Sequence, residues 1–450
     1  MLCVDELSDE QKLAFHKYIT GNNIFITGPG GTGKSAVIKM IYSSAMLRDR
    51  KIQVCALTGC AAVLLGCKAK TIHSWSGIGR GEGSIEQLIN KVKNNRYSKN
   101  MWKGTEILVV DEVSMMSLSL FETLNHIGKA IRKNSRPFGG IQLVFSGDFY
   151  QLPPVGNREE PDTMRFCFES SEWNIVFPSE CQIQLVRIFR QTDEIYSKIL
   201  NQIRKGKISR KSYEILLQYV GRERSPDLIM EPTKLYPTKN KVDNINTQNM
   251  SLLDGEERKY VIDYLTDGKM TTIEKMLRSS FSEMMIKTEL DYLAGNLLCD
   301  KEVKLKIGAQ VMCVINIQDD DRNVTICNGS QGIVTGFCEL TGAPRVLFNN
   351  GMERIMVKHV WLSDKIPGIG VSQVPLILAW ALTIHKSQGS TLDIAEVDIG
   401  SGIFECGQTY VALSRVRSLD GLYLKDMDVQ RIKVNRKVQE YYQILEETRA

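Results

Sequence analysis

The sequence lacks the marks of several protein classes. Its 11 cysteines include no CxxC pair and are odd in number, which argues against a zinc module or a disulfide framework. A reducing intracellular compartment, cytoplasm or nucleus, is the expectation. No apolar run approaches the roughly 20 residues that span a bilayer; the longest nearly uncharged one, VPLILAWALTI at 374–384, carries a proline. No membrane partner is expected. The opening MLCVDELSDEQ has acidic residues where a secretory or organellar leader has basic ones, so no cleavable targeting segment is expected either. Nor is there a large excess of one charge, because 57 Lys and Arg nearly balance 52 Asp and Glu and leave +5. Net charge alone therefore does not identify a nucleic-acid partner. Tandem repeats and low-complexity blocks are missing too.

What is present is material for several folded domains. A chain of 450 residues exceeds one ordinary core, and roughly 100–200 residues per domain gives two to four. Apolar runs ending in polar or glycine turns recur at 23–28, 52–59, 106–112 and 141–148, with helical patterns at 35–49 and 118–133. Alternating strands and helices predict an α/β fold with a parallel sheet covered on both faces. The pattern returns at 234–246, 375–385 and 394–400, predicting a second α/β unit. Between these, runs at 305–317, 327–337 and 344–357 joined by Asn-Gly turns predict a small β-barrel or sheet. The mixed, charged stretch 259–300 has no readable pattern.

The sharpest local signal is GPGGTGKS, residues 28–35, directly after a strand and before a helix. This is the context a phosphate-binding loop requires: backbone N–H groups face the phosphates, Lys34 neutralises them, and Ser35 offers a hydroxyl to Mg²⁺. The whole run Gly28, Pro29, Gly30, Gly31, Thr32, Gly33, Lys34 and Ser35 is thus the candidate nucleotide cradle. LVVDE at 108–112 narrows the reaction, since Asp111 can hold the metal while Glu112 orients an attacking water. In SGDFYQLPPV, residues 146–155, Gln151 can reach a γ-phosphate and the prolines fix the direction of the loop. Arg190 and Arg415 are candidate guanidinium contacts to the same phosphate, although an arginine alone is more often a surface residue.

Taken in chain order, LSDEQKLAF (7–15), GPGGTGKS, ALTGCAAVLL with TIHSWSGIG (56–79), VVDEVSM (109–115), PFGGIQLVFSGDFYQLPPV (137–155), FRQ (189–191), LYPTKNKVDNIN (235–246), LAWALTIHKSQGSTLD (378–393) and GQTYVALSRVRS (407–418) form a set. That set resembles superfamily-one DNA helicases of the PIF-one (petite integration frequency) branch, related to RecD-like motors, over nearly the whole chain. The resemblance implies two RecA-like P-loop domains with ATP between them and 5′-to-3′ translocation on single-stranded DNA with unwinding. It implies a first domain over 1–190 with a wedge insertion at about 76–102, a second over 191–258 and 362–450, and an inserted β-rich domain over 259–361. It also implies that Gln11 reads adenine, that Ser35 and Asp111 serve Mg²⁺, and that Gln151, Arg190 and Arg415 sense or stabilise the γ-phosphate. Gly389 falls where its loop can sense the nucleotide cleft.

A motor must hold any sequence, so its track contacts go to sugar-phosphate and base faces. The paired polar loops TIHSWSG (71–77) and TIHKSQGST (383–391) suit this. Thr58, His73, Pro153, Thr383, His385, Lys386 and Ser387 are the expected DNA contacts, with Trp75 or Phe149 for stacking. From the residues alone, His73 and His385 read equally as structural histidines, and Trp75 as core. Forked or structured duplex DNA, G-quadruplexes and RNA–DNA hybrids are candidate substrates, and a monomer is the default for the superfamily. The chain looks like a minimal motor, as in bacterial or viral relatives. Two other readings stay open: a translocating ATPase that strips proteins without much unwinding, and a P-loop phosphotransferase, against which Glu112 and the second α/β core speak.

Overall fold

The computed structural model describes residues 7–448 except 80, 192, 227, 319–323, 364–365 and 401. The chain forms two compact units, one comprising 1–212, 404–414 and 429–450, the other 213–403 and 415–428.

In the first unit six strands make one parallel sheet: β1 (Ile24–Thr27), β2 (Ile52–Ala56), β3 (Lys70–Thr71), β4 (Ile107–Asp111), β5 (Gln142–Ser146) and β6 (Gln182–Gln184), in the order β3-β2-β4-β5-β1-β6. Their uninterrupted apolar runs follow from burial on both faces. Along β4, Ile107 and Val109 join one core while Leu108 and Val110 join the other, as a period of two dictates. The expected strands and helices are present, trimmed by a few residues at their ends.

The stretch expected as a wedge holds two helices. Ser84 caps Ile85–Asn94 with a reciprocal box to Gln87, and Asn95 caps Arg96–Gly104. Trp75 and Trp102, at the two ends of this stretch, pack at 4.4 Å, and the Trp102 indole donates to the Ser76 carbonyl at 2.9 Å.

The compact units differ from the expected boundaries, and the packing explains why. Helix Glu194–Arg204 turns its buried face, Tyr196, Ile199, Leu200 and Ile203, into the first unit, where the Tyr196 hydroxyl donates to the Leu413 carbonyl at 2.7 Å. The last helix, Arg436–Glu447, places Val438, Tyr442 and Leu445 in the core of that same unit.

The second unit holds a four-stranded parallel sheet in the order 381–383, 233–236, 395–399, 422–427 and a five-stranded antiparallel sheet in the order 353–355, 344–348, 331–337, 310–313, 376–378. The run 375–385, expected within the second α/β unit, holds two strands in different sheets. Leu376–Leu378 pairs with Gln310–Cys313, and Ala381–Thr383 pairs with Thr233–Tyr236. Buried Gln310 sits at the break, its amide donating to the Glu231 and Ala379 carbonyls at 2.8 and 3.0 Å. The unreadable stretch forms strands Arg258–Val261 and Asp263–Leu265 and helices Thr272–Arg278 and Glu283–Asn296.

Candidate functional site

The phosphate loop leaves β1 at Thr27 and enters helix Lys34–Leu47, whose N-cap Gly33 is left-handed (φ 81°) and offers no side-chain cap. The first-turn amides are thus left for an anion. A Cβ at Gly28 would lie 2.3 Å from the Leu185 carbonyl oxygen, and one at Gly31 would lie 2.5 Å from Arg190 Cβ. Both positions have positive φ, so close approach and conformation each require glycine. Lys34 Nζ donates to the Gly28 and Pro29 carbonyls at 2.7 and 3.0 Å. Burial lowers its pKa, opposed by the charges of Asp148, Glu112 and Asp111. The Thr32 hydroxyl closes the loop on Pro29 at 2.9 Å, and Ser35 is exposed on the first turn.

Gln11 is buried against this loop. Its side chain accepts from the Ser8 amide in a capping box and donates to the Thr32 carbonyl at 3.1 Å. Gly30 N–H donates to the Tyr410 hydroxyl at 2.8 Å. The amide of the loop itself thus has a phenol as partner.

Asp111 ends β4, buried, and desolvation raises its pKa against the Ser146 hydroxyl, the Glu112 amide and Lys34. Glu112 follows in the left-handed region at φ 57°, ψ 40°, a conformation that costs a residue with a Cβ about 1–2 kcal/mol. Gln151 is buried in the turn after β5. The Arg190 guanidinium donates to the Ser414 carbonyl at 3.4 Å, and burial lowers its pKa against Tyr410 and Glu112. Hydroxyl and carboxylate oxygens at Ser35 and Asp111 are the hard donors Mg²⁺ takes together with phosphate oxygens. Among the described residues no group of three His, Cys, Asp or Glu could hold a metal alone.

Behind the loop lies a buried network that the sequence did not reveal. Arg204 grips Asp148 with two hydrogen bonds of 2.9 and 2.7 Å. The Tyr442 hydroxyl lies 3.2 Å from Asp148, 2.5 Å from the Thr27 hydroxyl and 3.2 Å from the Phe149 amide. The Tyr150 and Tyr442 rings stack at 4.6 Å, with the Arg204 guanidinium 4.5 Å from the Tyr150 centroid. Burial disfavours the Arg204 charge, and the Asp148 carboxylate outweighs it and raises its pKa.

In the second unit, 383–391 is a tight turn built by its own hydroxyls. Thr383 Oγ1 accepts from the Lys386 amide at 3.0 Å, Ser387 donates to the Ile384 carbonyl at 2.9 Å, and Ser390 donates to Ser387 at 2.7 Å. His385 and Gly389 are exposed and Lys386 half-buried. Arg415 belongs to this unit and donates to the Ser390 carbonyl at 3.5 Å. Just past the turn, Gln331 of the antiparallel sheet donates to Thr233 and to the Ile394 carbonyl at 2.6 and 2.9 Å.

Three expected track contacts are corrected by these positions. Trp75 is 1% exposed, its indole donating to Thr105 at 3.4 Å. Phe149 is 1% exposed with Phe25, Phe166, Phe168 and Trp173 around it. The core uses both ring faces, so neither offers a stacking platform. Ser387 is fully buried and shapes its turn. Thr58 heads helix Gly59–Leu65, accepting from Ala61 N–H at 3.2 Å; His73 and Pro153 are half-buried.

A family model described as PIF1-like helicase matches residues 6–214, and one described as the 2B domain of DNA helicase Pif1 matches 290–337. The ATP-dependent DNA helicases PIF1 of Danio rerio and Homo sapiens are each 34% identical over 99% of this chain. The chain spans about 65% of the length of these curated relatives. The solved Pif1 helicase from Candida albicans is 33% identical, covering 99% of this chain and 100% of its own, with a TM-score of 0.74. The chain belongs to the PIF1-like helicase family. A Bacteroides Pif1 in complex with ADP-AlF4 is 26% identical and superposes with a TM-score of 0.76 over 98% of this chain. The two parallel sheets are accordingly those of the two RecA-like domains of this family's α/β fold.

The sequence reading did not single out Tyr410, Asp148, Arg204 or Tyr442. Asp148 and Tyr410 lie inside quoted motifs, so each was within reach as a polar residue in a conspicuous run. Arg204 and Tyr442 sit on ordinary amphipathic helices, and only the fold brings them to Thr27. No helix among the described residues is long and apolar enough to cross a membrane.

Proposed function

We propose that the chain is an ATP-hydrolysing DNA helicase that translocates 5′ to 3′ on single-stranded DNA and unwinds forked or structured duplexes. The observation that carries it is the convergence of Lys34, Asp111, Glu112 and Arg190 around one phosphate loop in a chain of the PIF1-like family. In this reading the loop amides and Lys34 hold the phosphates, Gln11 lies on the adenine side, and Ser35 and Asp111 hold Mg²⁺. The metal, when bound, supplies charge neutralisation at the phosphates. Glu112 orients the attacking water and accepts its proton; Arg190 stabilises charge on the γ-phosphate. Arg415, carried by the second unit, is the second guanidinium in this proposal, and Gly389 a sensor of nucleotide state.

Single-stranded DNA is the partner that a Bacteroides Pif1 structure holds, and forked duplex DNA figures in another Pif1 structure of two coordinating helicases. For this chain we assign the track to Thr58, His73, Pro153, Thr383, His385 and Lys386. Thr383 keeps its hydroxyl hydrogen for a phosphate while its oxygen caps the turn. The proposal extends to a wedge at 76–102, a second RecA-like domain built on the unit 213–403 and 415–428 and interrupted by a β-rich insertion at 259–361, and a monomeric motor working inside the cell. Structured targets such as G-quadruplexes or RNA–DNA hybrids, met in replication, repair, recombination or telomere maintenance, belong to the same reading.

The test is ATP hydrolysis with and without single-stranded DNA, followed by strand displacement on duplexes bearing one 5′ or one 3′ tail. Stimulated hydrolysis and displacement from the 5′ tail alone are expected. Hydrolysis indifferent to DNA sinks the motor reading, and equal displacement from both tails sinks the polarity.

A further inference from the structure

With Trp75 and Phe149 committed to the core, the first unit needs another way to hold a base. A cavity of about 280 Å³ opens in that unit, lined among others by Leu57, His73, Met115, Ser119, Pro154 and Val155. Three of these residues, or their immediate neighbours, are the three track contacts assigned to this unit: Leu57 precedes Thr58, His73 is itself one, and Pro154 follows Pro153. Separate segments thus bring their expected phosphate contacts to the rim of one hollow. Its volume lies just below the roughly 300 Å³ at which small-ligand sites begin, the scale of one base and not of a stacked pair.

The chemistry of the lining agrees. Leu57, Met115, Pro154 and Val155 give apolar walls, and Val155, 82% exposed at the mouth, leaves aliphatic surface for a base to cover. Among the described residues the His73 ring makes no hydrogen bond, and burial lowers its pKa, so a neutral imidazole stands at the rim as donor or acceptor. Ser119 adds a hydroxyl from the exposed side of helix Leu118–Arg132. Apolar walls with two adaptable polar groups tolerate every base, which a sequence-blind motor requires.

We infer that this cavity accepts one base of the tracked single strand, drawn out of the run of its neighbours while the flanking phosphates rest on the segments around Thr58, His73 and Pro153. The inference rests on the single-stranded DNA reading above. It makes the cavity a base slot separate from the nucleotide site, with Ile78 and Gly81 of the 76–102 stretch in its wall.

The experiment places a single 2-aminopurine at successive positions of a short oligothymidylate and records emission on binding without nucleotide, with anisotropy reporting binding itself. Emission rising at one position along the strand is the expected result, because an extracted base loses the stacking that quenches it. Ser119→Phe, which fills the cavity, should abolish that rise and weaken binding roughly tenfold, the scale of one lost base contact. A second measurement needs no variant: an oligothymidylate with an abasic site at that position should bind the wild-type chain weaker by a similar factor. Binding by anisotropy with no position brightened, or an abasic strand bound as tightly as the intact one, overturns the slot. Failure of the intact oligothymidylate to bind at all overturns the DNA reading beneath it.

Discussion

Glu112 is held in a conformation that its neighbours impose. The chain turns sharply after β4, and Glu112 takes φ 57° there while Gly147 of the adjacent strand end lies so close that a Cβ on it would meet Val113 N at 2.9 Å. The turn aims a carboxylate out of the sheet beside Asp111, and the strain belongs to the backbone, so side-chain chemistry and stability separate at this position. Glu112→Gln keeps the conformation and removes the base: nucleotide binding should persist while single-turnover hydrolysis falls by roughly 10²–10⁴-fold. Glu112→Gly should lose hydrolysis equally yet cost no stability, since relief of about 1–2 kcal/mol of left-handed strain exceeds the roughly 0.4–1 kcal/mol that glycine adds to unfolded-chain entropy. Denaturant titration of the two variants checks this. A Gly variant markedly less stable than the Gln variant would place the strain elsewhere, and retained hydrolysis in Gln would move the base to another group.

Among elements, the last helix carries more than its sequence announces. Arg436–Glu447 reads as an amphipathic helix, and its Tyr442 as one more apolar position. In the fold its hydroxyl touches Thr27, the residue before the phosphate loop, and Asp148, two residues after β5. Tyr442→Phe preserves the ring stacked on Tyr150 and removes only the hydroxyl, leaving Thr27 and the Phe149 amide short of a buried partner at about 1–3 kcal/mol. Arg204→Ala strands the Asp148 charge and should cost about 3–5 kcal/mol. Because Thr27 leads directly into Gly28, Tyr442→Phe should also raise KM for ATP more than it lowers kcat; unchanged stability and KM together would reduce the network to coincidence. The contrast shows what the chain made legible. Strand-turn-helix at 23–47, the carboxylates at 111–112 and the Asn-Gly hairpin at 349–351 are local patterns, each specified by adjacent residues. The split of 375–385 between two sheets, the burial of Trp75 and Phe149, and the Asp148–Arg204–Tyr442 network depend on partners as far as 294 residues away, which no local period encodes.

At the scale of the whole molecule, charge decides how the proposed motor should respond to salt. The chain carries only +5, and of the residues assigned to the track only Lys386 is a permanent cation. Thr58, Pro153 and Thr383 are uncharged, and His73 and His385 are neutral at pH 8, well above the ordinary histidine pKa of about 6.5. Single-strand affinity should therefore depend on hydrogen bonds and base burial more than on counterion release, with log K falling against log salt by only about 0.7 for each phosphate neutralised. Lys386→Ala should weaken oligonucleotide binding by a similar factor for every sequence and shallow the slope by about 0.7. Lowering the pH through the histidine range should strengthen binding and steepen the slope, since each imidazole that gains a proton adds a cation at the track. The shift should come late for both, because burial lowers the pKa of each. Fluorescence anisotropy across salt at pH 8 and pH 6 measures both. A steep slope at pH 8 that survives Lys386→Ala would locate the track on basic residues outside these loops and displace the assignment made here.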